Sequence, residues 1–553
     1  MKIIVVGGVA GGATAATRLR RLNEDNEIII YEKGAYVSFA NCGLPYYIGG
    51  VIEDRNKLLL QTPESLKARY NLDVRVLTEV VSIDRKNKIV FLRNVVSGET
   101  STEHYDKLLL SPGAEPIRPP FEGITSPKIF TLRNIADMDR IAEQTVDKND
   151  FVVVGGGFIG LEIAENLIEK GKNVRLIELG TQVMAPVDYE IASFVHNKAK
   201  EKGLKLLLNT GVEKFRDEEK FIKVFLNNGE ILETEAVILA IGVKPETSLA
   251  RNAGLEIGET GGILVNEYLQ TSDESIYAVG DAIEVKNFVN EIKVLIPLAW
   301  PANRQGRLVA DNMILGNHSA YSGSLGSSIL KFFELSVAST GMNEKLLKRF
   351  EFEYQSAIIT KGSHAGYYPE SKEIVMKILF GNDGKIYGAQ AVGQEGVDKR
   401  IDIIATAIKA GMKVQNLQDI EITYAPPYNS AKDLVNIAGY TAENILKGNL
   451  NVISYDQLKP FIQKKDAVLL DVRTPEEFSK GSIDGAVNMN VDELRAHLKH
   501  LDKSKMYVIY CQVGLRGYLA NRILRNHGYK VVNLNGGYNL WKTVFPGKEM
   551  LQN

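Results

Sequence analysis

Two cysteines are the most reactive side chains in this sequence of 553 residues, and they lie far apart, at positions 42 and 511. Cys42 stands in the segment SFANCGLPYYIGG, where Ser38, Asn41 and Gly43 are small or polar instead of core-forming. A free cysteine is usually buried and inert, but these neighbours indicate an accessible thiol, and a helix N-terminus or a redox cofactor beside it would favour the nucleophilic thiolate. Cys42 is therefore a candidate nucleophile, and Cys511 has to be judged separately.

Two glycine clusters are typical of nucleotide-binding turns. The first consists of Gly7, Gly8, Val9, Ala10, Gly11 and Gly12. Valine replaces the second glycine of GxGxxG, but an apolar run precedes the cluster and an alanine-rich helical stretch follows it, as in a strand-turn-helix unit. The unpaired N–H groups at the start of such a helix favour a pyrophosphate. Glu32 ends the next apolar run, where a carboxylate can bind ribose hydroxyls.

The second cluster has the complete GxGxxG pattern, formed by Gly155, Gly157 and Gly160 between a strand-like and a helical run. Glu178 closes the following strand. A carboxylate at this position accepts a hydrogen bond from the 2′-hydroxyl of NADH and repels the 2′-phosphate of NADPH. The sequence therefore predicts a second dinucleotide site that prefers NADH, with NADPH as the alternative.

Cys511 ends a strand-like run and begins a loop that reaches Arg516, whose backbone N–H groups can form an anion cradle around a thiolate or persulfide. The segments LLDVRTPEEFSKGSIDGAVNM, CQVGLRG and LNGGYNLW resemble single-domain rhodaneses over about residues 452–550. The resemblance implies that Cys511 carries a persulfide sulfur, with Arg516 in its loop, and that Asp471 and Arg473 are structural.

The N-terminal part is similar to the coenzyme A disulfide reductase family over roughly residues 1–445, on SFANCGLPYYIGG, the two glycine clusters, AVGDA and YAPPYNSAKD. This resemblance implies FAD, NADH and a homodimer. It places the chain in a single-cysteine branch in which Cys42 attacks a substrate sulfur, keeps part of the substrate as a mixed disulfide or persulfide, and is regenerated by electrons from the flavin. Cys42 is then both nucleophile and redox centre.

The same resemblance implies roles for further residues. For the two nucleotide cofactors they are Gly7, Gly8, Ala10, Gly11, Gly12, Glu32, Lys33, Ser111, Gly113, Gly155, Gly157, Phe158, Ile159, Gly160, Glu162, Glu178, Gly242, Gly280, Asp281 and Ala299. For coenzyme A they are Thr14, Arg18, Arg21, Ser38, Asn41, Asn303, Tyr424, Tyr428 and Lys432. Tyr424, on a segment that in the family crosses the dimer interface, is implied to donate a hydrogen bond to a thiolate, with Tyr367 as a second phenol.

The elements that must position these residues predict an α/β protein of several domains. We expect two Rossmann-like dinucleotide-binding domains, for FAD (1–148 and 250–325) and for NAD(P)H (149–249), an α+β dimerisation domain (326–446) and a C-terminal α/β rhodanese domain (452–553). A hydrophobic content of 44% is ordinary for a globular protein. A net charge of -2 is too close to zero to attract nucleic acid or an acidic membrane electrostatically. No apolar run is long enough to span a bilayer and no leader peptide is evident, so we expect a cytoplasmic protein, and we predict no metal site.

The sequence is compatible with three substrates for Cys42 and with two alternative functions. Coenzyme A disulfide, coenzyme A persulfide and polysulfide all contain the S–S bond that Cys42 would cleave, and the fused sulfur carrier favours the latter two. An NADH oxidase or peroxidase is one alternative, but the histidine that assists such enzymes is replaced by Ala10. The other is a redox or sulfide sensor whose rhodanese-like tail binds a partner.

Overall fold

The computed structural model describes residues 1–547 and divides them into two compact units. The first unit comprises residues 1–183 and 202–326, and the second comprises residues 184–201 and the chain from residue 327 onward. The last six residues of the predicted rhodanese range, 548–553, lie outside the described residues.

The chain contains α-helices separated by single strands or by runs of consecutive strands. The strands are β1 Lys2–Val6, β2 Glu27–Tyr31, β3 Asp73–Arg75, β4 Thr78–Asp84, β5 Ile89–Asn94, β6 Thr100–His104, β7 Lys107–Leu110, β8 Ala114–Pro116, β9 Ile129–Thr131, β10 Asp150–Val154, β11 Asn173–Ile177, β12 Lys205–Leu207, β13 Val212–Asp217, β14 Ile222–Leu226, β15 Ile231–Thr234, β16 Ala236–Leu239, β17 Val243–Pro245, β18 Ile276–Ala278, β19 Val285–Lys286, β20 Lys293–Val294, β21 Ser328–Phe332, β22 Leu335–Gly341, β23 Gln355–Gly362, β24 Glu373–Phe380, β25 Ile386–Gly393, β26 Val452–Ile453, β27 Val468–Asp471, β28 Val487–Asn488, β29 Met506–Tyr510 and β30 Lys530–Leu534. The helices are α1 Ala10–Leu22, α2 Leu44–Gly49, α3 Pro63–Tyr70, α4 Ile135–Asp147, α5 Phe158–Glu169, α6 Tyr189–Glu201, α7 Ser248–Asn252, α8 Ala299–Leu315, α9 Glu344–Arg349, α10 Val397–Lys409, α11 Leu434–Leu446, α12 Tyr455–Lys465, α13 Pro475–Ser479, α14 Leu494–His497, α15 Leu515–Asn526 and α16 Gly537–Val544.

The first unit contains two parallel sheets, one for each glycine cluster. Their strand orders are β18-β7-β1-β2-β3 and β12-β11-β10-β16-β9. The central strands β1 and β10 are almost wholly buried, as expected for parallel strands covered by helices on both faces. Each ends directly at its glycine turn, so both predicted Rossmann-like units are present.

The boundary between these two sheets does not coincide with the boundary between the FAD and NAD(P)H domains that the sequence predicts. β9 lies inside the range predicted for the FAD domain, 1–148, but it pairs in parallel with β16 of the second sheet, through Ile129 and Val237 among other pairs. The second sheet therefore begins before residue 149. A three-residue strand far from its partner along the chain carries no local signal of which sheet it will join.

The second unit combines an antiparallel sheet with a second, parallel one. The antiparallel sheet has the order β21-β22-β25-β24-β23 and the parallel sheet has the order β26-β30-β29-β27-β28. These correspond to the predicted α+β dimerisation domain and α/β rhodanese domain. The unit also includes α6, which lies inside the range predicted for the NAD(P)H domain, 149–249.

One buried amide connects the two sheets of the second unit. The side chain of Asn535, just after β30, accepts a hydrogen bond from the Ile358 N–H at 2.9 Å and donates to the Ser356 carbonyl at 3.2 Å, both on β23. Asn197 of α6 donates to the Thr543 carbonyl at 2.9 Å. Buried polar groups are costly when they lose their partners. The rhodanese sheet is thus tied to the antiparallel sheet by specific hydrogen bonds as well as by the chain.

A buried cation joins α6 to the antiparallel sheet. The Lys377 ammonium on β24 is 1% exposed and forms ion pairs with Asp188 at 2.9 Å, with Glu344 at 2.9 Å and with Glu190. Such a group is stable only when its charge is matched by partners. No helix within residues 1–547 is long and apolar enough to cross a membrane.

Candidate functional site

The first glycine turn, residues 7–12, closes tightly against its own sheet. A Cβ on Gly7 would stand 2.1 Å from the Ser111 carbonyl oxygen, and one on Gly12 would stand 1.9 Å from the Gly7 carbonyl oxygen, so any side chain at either position would collide with backbone. Gly7 also has a φ of 93°, in the region that favours glycine. α1 then begins without a side-chain cap and without an acidic residue in its first turn. Its first N–H groups are therefore available to an anion.

The second glycine turn, residues 155–160, repeats this geometry. A Cβ on Gly155 would stand 2.4 Å from the Ala240 carbonyl oxygen, and one on Gly160 would stand 1.9 Å from the Gly155 carbonyl oxygen. A Cβ on Gly157 would have no neighbour within 4 Å, so the backbone there is open to a ligand. α5 starts at Phe158, and Ile159 is its second residue. It has no side-chain cap and no acidic residue in its first turn. Both turns fit a dinucleotide pyrophosphate.

Each acidic residue predicted to bind a ribose accepts one hydrogen bond from its glycine turn and one from the glycine two residues after itself. Glu32 accepts hydrogen bonds from the N–H groups of Gly8 at 2.9 Å and Gly34 at 2.7 Å. Glu178 accepts from Gly156 and Gly180, both at 2.7 Å. Each carboxylate therefore lies at the edge of its turn in a fixed orientation, where a ribose would bind.

Asp281 follows β18 on a short 3₁₀ turn whose first residue, Gly280, has a φ of 81°. The Gly280 N–H donates to the Gln305 side chain at 2.8 Å. Burial raises the pKa of Asp281 to about 6, and the Arg133 guanidinium offsets part of this effect. A buried carboxyl group needs a polar partner, and the hydroxyl-bearing chain of a flavin nucleotide would supply one.

Further residues predicted for the cofactors lie on other segments of the first unit. The Ser111 hydroxyl would stand 3.0 Å from a Cβ on Gly11, and Gly113 and Gly242 have positive φ angles of 75° and 107°. Ala299 begins α8 without a side-chain cap. Lys33, which is also predicted to bind a cofactor, forms a partly exposed ion pair with Glu115 through its ammonium at 3.2 Å.

Cys42 lies on a 3₁₀ turn, Asn41–Gly43, that leads directly into α2, and its side chain is exposed. The pKa of the thiol is nevertheless raised, first by desolvation and then by the carboxylates of Glu162 and Asp281, while its own backbone N–H lowers it slightly. The Cys42 thiol is therefore less acidic than an ordinary cysteine, and part of this effect comes from two carboxylates that the sequence distributes over distant positions.

Glu162 is anchored beside Cys42 by a residue that the sequence analysis missed, Tyr46. Tyr46 follows Cys42 by four residues, one helical turn, and its hydroxyl hydrogen-bonds the Glu162 carboxylate. α2 packs closely on α5, since a Cβ on Gly49 would stand 1.9 Å from the Asn166 side-chain oxygen. Burial, and then Glu165, raise the pKa of Glu162 to about 7. The only signal in the sequence was the spacing of Tyr46 from Cys42.

Four of the residues predicted for coenzyme A, Thr14, Arg18, Arg21 and Asn303, lie on α1 and α8, which pack on each other. The Thr14 hydroxyl donates to the Asn303 side-chain oxygen at 2.6 Å, so two predicted residues are in direct contact. Arg18 forms an ion pair with Asp311 of α8 at 2.7 Å and is partly committed to that partner, whereas Arg21 is exposed. Ser38 adopts a left-handed conformation with a φ of 47°, and its N–H donates to the Gly8 carbonyl at 2.8 Å.

The phenols predicted for catalysis lie in the second unit and contact each other. The hydroxyls of Tyr367 and Tyr424 are 2.7 Å apart, and we call them the tyrosine pair. Tyr428 and Lys432 on the same segment are exposed. The segment is fixed by Arg400, another residue that the sequence analysis missed, which is buried and donates to Asn429 at 3.0 Å and to Asp433.

Cys511 is buried at the end of β29 and receives a hydrogen bond from the Gly514 N–H at 3.1 Å. We call residues 511–516 the sulfur loop. Arg516 was predicted to serve this loop, but its guanidinium forms a two-pronged ion pair with Glu477, at 2.6 and 2.7 Å. Asp471 and Arg473 are buried and paired at 2.6 Å, as expected of structural residues.

Two nucleotide-binding sheets beside an exposed cysteine define a pyridine nucleotide-dependent oxidoreductase, and a rhodanese-like domain follows it. No cluster of His, Cys, Asp and Glu within residues 1–547 could hold a metal ion. The chain matches the pyridine nucleotide-disulphide oxidoreductase family over residues 1–306, that family's dimerisation domain over residues 327–434 and the rhodanese-like domain over residues 454–543. It belongs to the pyridine nucleotide-disulphide oxidoreductases and, within them, to the coenzyme A disulfide reductase family.

Relatives support this placement over their full length. The coenzyme A disulfide reductase of Staphylococcus haemolyticus is 36% identical over 448 residues, which cover 80% of this chain and 100% of the relative. The structure of reduced Bacillus anthracis CoADR-RHD is 51% identical with a TM-score of 0.96, covering 99% of this chain and 98% of that one. A NAD-dependent persulfide reductase from A. fulgidus is 37% identical with a TM-score of 0.92, covering 98% and 100%.

Proposed function

We propose that the protein is a homodimeric, FAD-containing, NADH-dependent reductase that cleaves the S–S bond of coenzyme A persulfide, with coenzyme A disulfide as a second substrate. The observation that carries the proposal is the position of Cys42. It is the only cysteine before residue 511, and it is exposed in the unit that contains both glycine turns. A dithiol mechanism would need a second cysteine beside it.

Cys42 supplies the nucleophile. Its thiolate attacks a sulfur of the substrate, the substrate S–S bond breaks, and a new S–S bond joins Cys42 to one half of the substrate. When bound, FAD supplies the redox chemistry that connects hydride from NADH to two-electron cleavage of this new bond. The net reaction consumes NADH, one proton and coenzyme A persulfide and yields NAD⁺, coenzyme A and hydrogen sulfide.

Two groups of residues move the protons. Glu162, with a pKa of about 7, can take up the proton that Cys42 loses when the thiolate forms, because two negative charges at close range are unfavourable. In the proposed homodimer, the tyrosine pair of one subunit serves the cysteine of the other and donates a proton to the departing thiolate, since a phenol holds its proton at neutral pH. Thr14, Asn303, Arg18 and Arg21 are the proposed contacts to the coenzyme.

The persulfide preference is supported by the appended domain. A reductase of coenzyme A disulfide alone has no use for a sulfur carrier, whereas a persulfide reductase does, and the A. fulgidus relative of nearly the same length is a persulfide reductase. Two free cysteines suit the cytoplasm, where thiols stay reduced, and the dimerisation-domain match supports a homodimer.

The test is anaerobic NADH oxidation with coenzyme A persulfide and coenzyme A disulfide at matched concentrations. We expect a higher kcat/KM for the persulfide, and a higher value for the disulfide would reverse the order of the two substrates. Cys42→Ser should abolish turnover of both while the flavin stays bound, as judged by its absorbance. Cys511→Ser is the matched control and should retain coenzyme A disulfide reduction. Full activity of Cys42→Ser would exclude the mechanism.

A further inference from the structure

The sulfur loop provides no unpaired cation. The residues between Cys511 and Arg516 are Gln, Val, Gly and Leu, none of which is charged. Arg516 is held by both oxygens of Glu477, at 2.6 and 2.7 Å. This pairing lowers the pKa of Glu477 to about 2, so the carboxylate is ionised at any physiological pH and the pair is neutral as a whole.

The other arginine that contacts the loop is neutralised in the same way. Arg473 donates to the Gln512 side chain at 3.0 Å, but it is buried and paired with Asp471 at 2.6 Å. The loop and its contacting side chains therefore comprise two arginines, their two carboxylate partners and one thiol. When Cys511 ionises, the net charge of this group of side chains is negative.

The entrance to the loop also exposes apolar side chains. Leu515 follows Gly514, the residue that donates to the Cys511 sulfur, and is 70% exposed. Leu519 lies one turn further along α15, on the same helical face, and is 46% exposed. Two large exposed leucines beside a reactive thiol form a surface that suits an alkyl chain better than a sulfonate-like ion.

The geometry points to a sulfur loop that accepts sulfane sulfur from alkyl persulfides with uncharged tails and discriminates against thiosulfate. This inference rests on the proposed role of Cys511 as a sulfur carrier and is independent of the reaction at Cys42. Glu477 acts as the specificity-determining residue, because it holds the one cation of the loop in an ion pair.

Charge balance explains the discrimination. Transfer from an alkyl persulfide joins the Cys511 thiolate to a neutral R–S–SH, breaks the donor S–S bond, and gives Cys511–S–SH and R–S⁻, so the total charge is -1 throughout. Transfer from thiosulfate brings the thiolate together with a dianion and releases sulfite, so the total charge is -3. Like charges in a partly dry site repel strongly, and a free arginine would be needed to offset them.

The experiment uses the full-length flavoprotein with Cys42→Ser, so that Cys511 is the only thiol and reduction at Cys42 cannot contribute. Thiosulfate and benzyl persulfide are supplied separately at equal concentration, and the gain of one sulfur on the Cys511 peptide is followed by mass spectrometry. We expect loading from benzyl persulfide to be at least about tenfold faster, because thiosulfate brings two more negative charges to the thiolate than the neutral persulfide does.

Glu477→Gln tests whether the ion pair between Glu477 and Arg516 causes the discrimination against thiosulfate. Glutamine keeps the capping box at the start of α13, in which Glu477 and Thr474 bond each other's backbone N–H groups, but it removes the charge that neutralises Arg516. We expect thiosulfate loading to rise about five- to tenfold with little change for benzyl persulfide. The matched control is Glu476→Gln, which removes an exposed neighbouring carboxylate paired with Lys480 and should change neither rate.

A second variant avoids dependence on the Glu477 pair. Leu515→Lys places a cation at the entrance and should raise thiosulfate loading while lowering benzyl persulfide loading. Equal wild-type rates for the two donors, or unchanged thiosulfate loading in both variants, would overturn the inference. Loading from neither donor would overturn it together with the carrier role of Cys511, and would leave the proposed reaction at Cys42 standing.

Discussion

The hydroxyls of Tyr367 and Tyr424 lie 2.7 Å apart and share one hydrogen bond, although 57 residues separate them in the chain. The bond to Tyr424 raises the pKa of Tyr367, so this phenol keeps its proton above its ordinary range. Both hydroxyls are exposed, and the segment that carries Tyr424 is fixed from behind by Arg400. A positioned pair of phenols can pass a proton to a thiolate without either becoming fully ionised.

Tyr424→Phe should lower kcat for coenzyme A disulfide by about tenfold or more, because a positioned acid contributes roughly 10²–10⁴-fold to a proton transfer. Tyr367→Phe should have a smaller effect, and the double variant should lose less than the product of the two single effects. Steady-state NADH oxidation provides the measurement. Tyr440→Phe, at an exposed position on α11, is the control, and a fully additive double variant would argue against shared function.

Glu162→Gln should make Cys42 more reactive, and only above the pKa of Glu162. Below about pH 6 the carboxyl group is protonated, so the wild type and the variant have the same charge near Cys42. As the pH rises through about 7, the wild-type carboxylate ionises and raises the pKa of the thiol, while glutamine stays neutral. In a Cys511→Ser background we expect Cys42 alkylation by iodoacetamide to be about threefold faster in the variant at pH 8, because a larger fraction of the thiol is then ionised.

The control for this profile is Glu169→Gln, which removes an exposed carboxylate from the last residue of α5. It should follow the wild-type profile throughout. A ratio of variant to wild-type rates that stays constant with pH would mean that Glu162 acts on Cys42 by packing alone and has no electrostatic role.

Glu178→Ala should relax the preference for NADH. The carboxylate is fixed by the N–H groups of Gly156 and Gly180 and would face a 2′-phosphate with like charge. We expect the ratio of kcat/KM for NADPH to that for NADH to rise about tenfold, the effect of removing one close repulsion of about 1.4 kcal/mol. Glu230→Ala, an exposed turn residue of the same unit, should leave the ratio unchanged. The same ratio in both variants would remove Glu178 from the recognition of the nucleotide.

Lys377→Met should destabilise the second unit severely. It leaves Asp188, Glu190 and Glu344 without the cation that balances them, and breaking a buried pair from one side costs about 3–5 kcal/mol. We expect a fall in Tm of about 5 °C or more by calorimetry. Lys348→Met is the matched control, because this exposed lysine contacts the same Glu344 at 3.3 Å. Its effect should be below about 1 kcal/mol, and an equally small effect of Lys377→Met would contradict the assignment.

Local patterns predicted the parts of the fold that are short-range. The strand, glycine turn and helix at residues 2–22 and 150–169 follow from apolar runs and from glycines that no other residue can replace, since a Cβ on Gly12 or Gly160 would collide with backbone. The pairing of β9 with β16 and the inclusion of α6 in the second unit were not predictable in this way, because both depend on contacts between segments that are distant in the sequence.

The same division applies to the candidate site. The sequence by itself determined which thiols can react, Cys42 and Cys511, and which turns can hold a pyrophosphate, because reactivity and backbone clearance depend on residue type and immediate neighbours. Only the tertiary structure decided their electrostatics. Glu162 and Asp281 come to Cys42 from other elements, and Glu477 neutralises Arg516 from 39 residues away. Charge interactions act through space and depend on burial, so no local pattern could contain them.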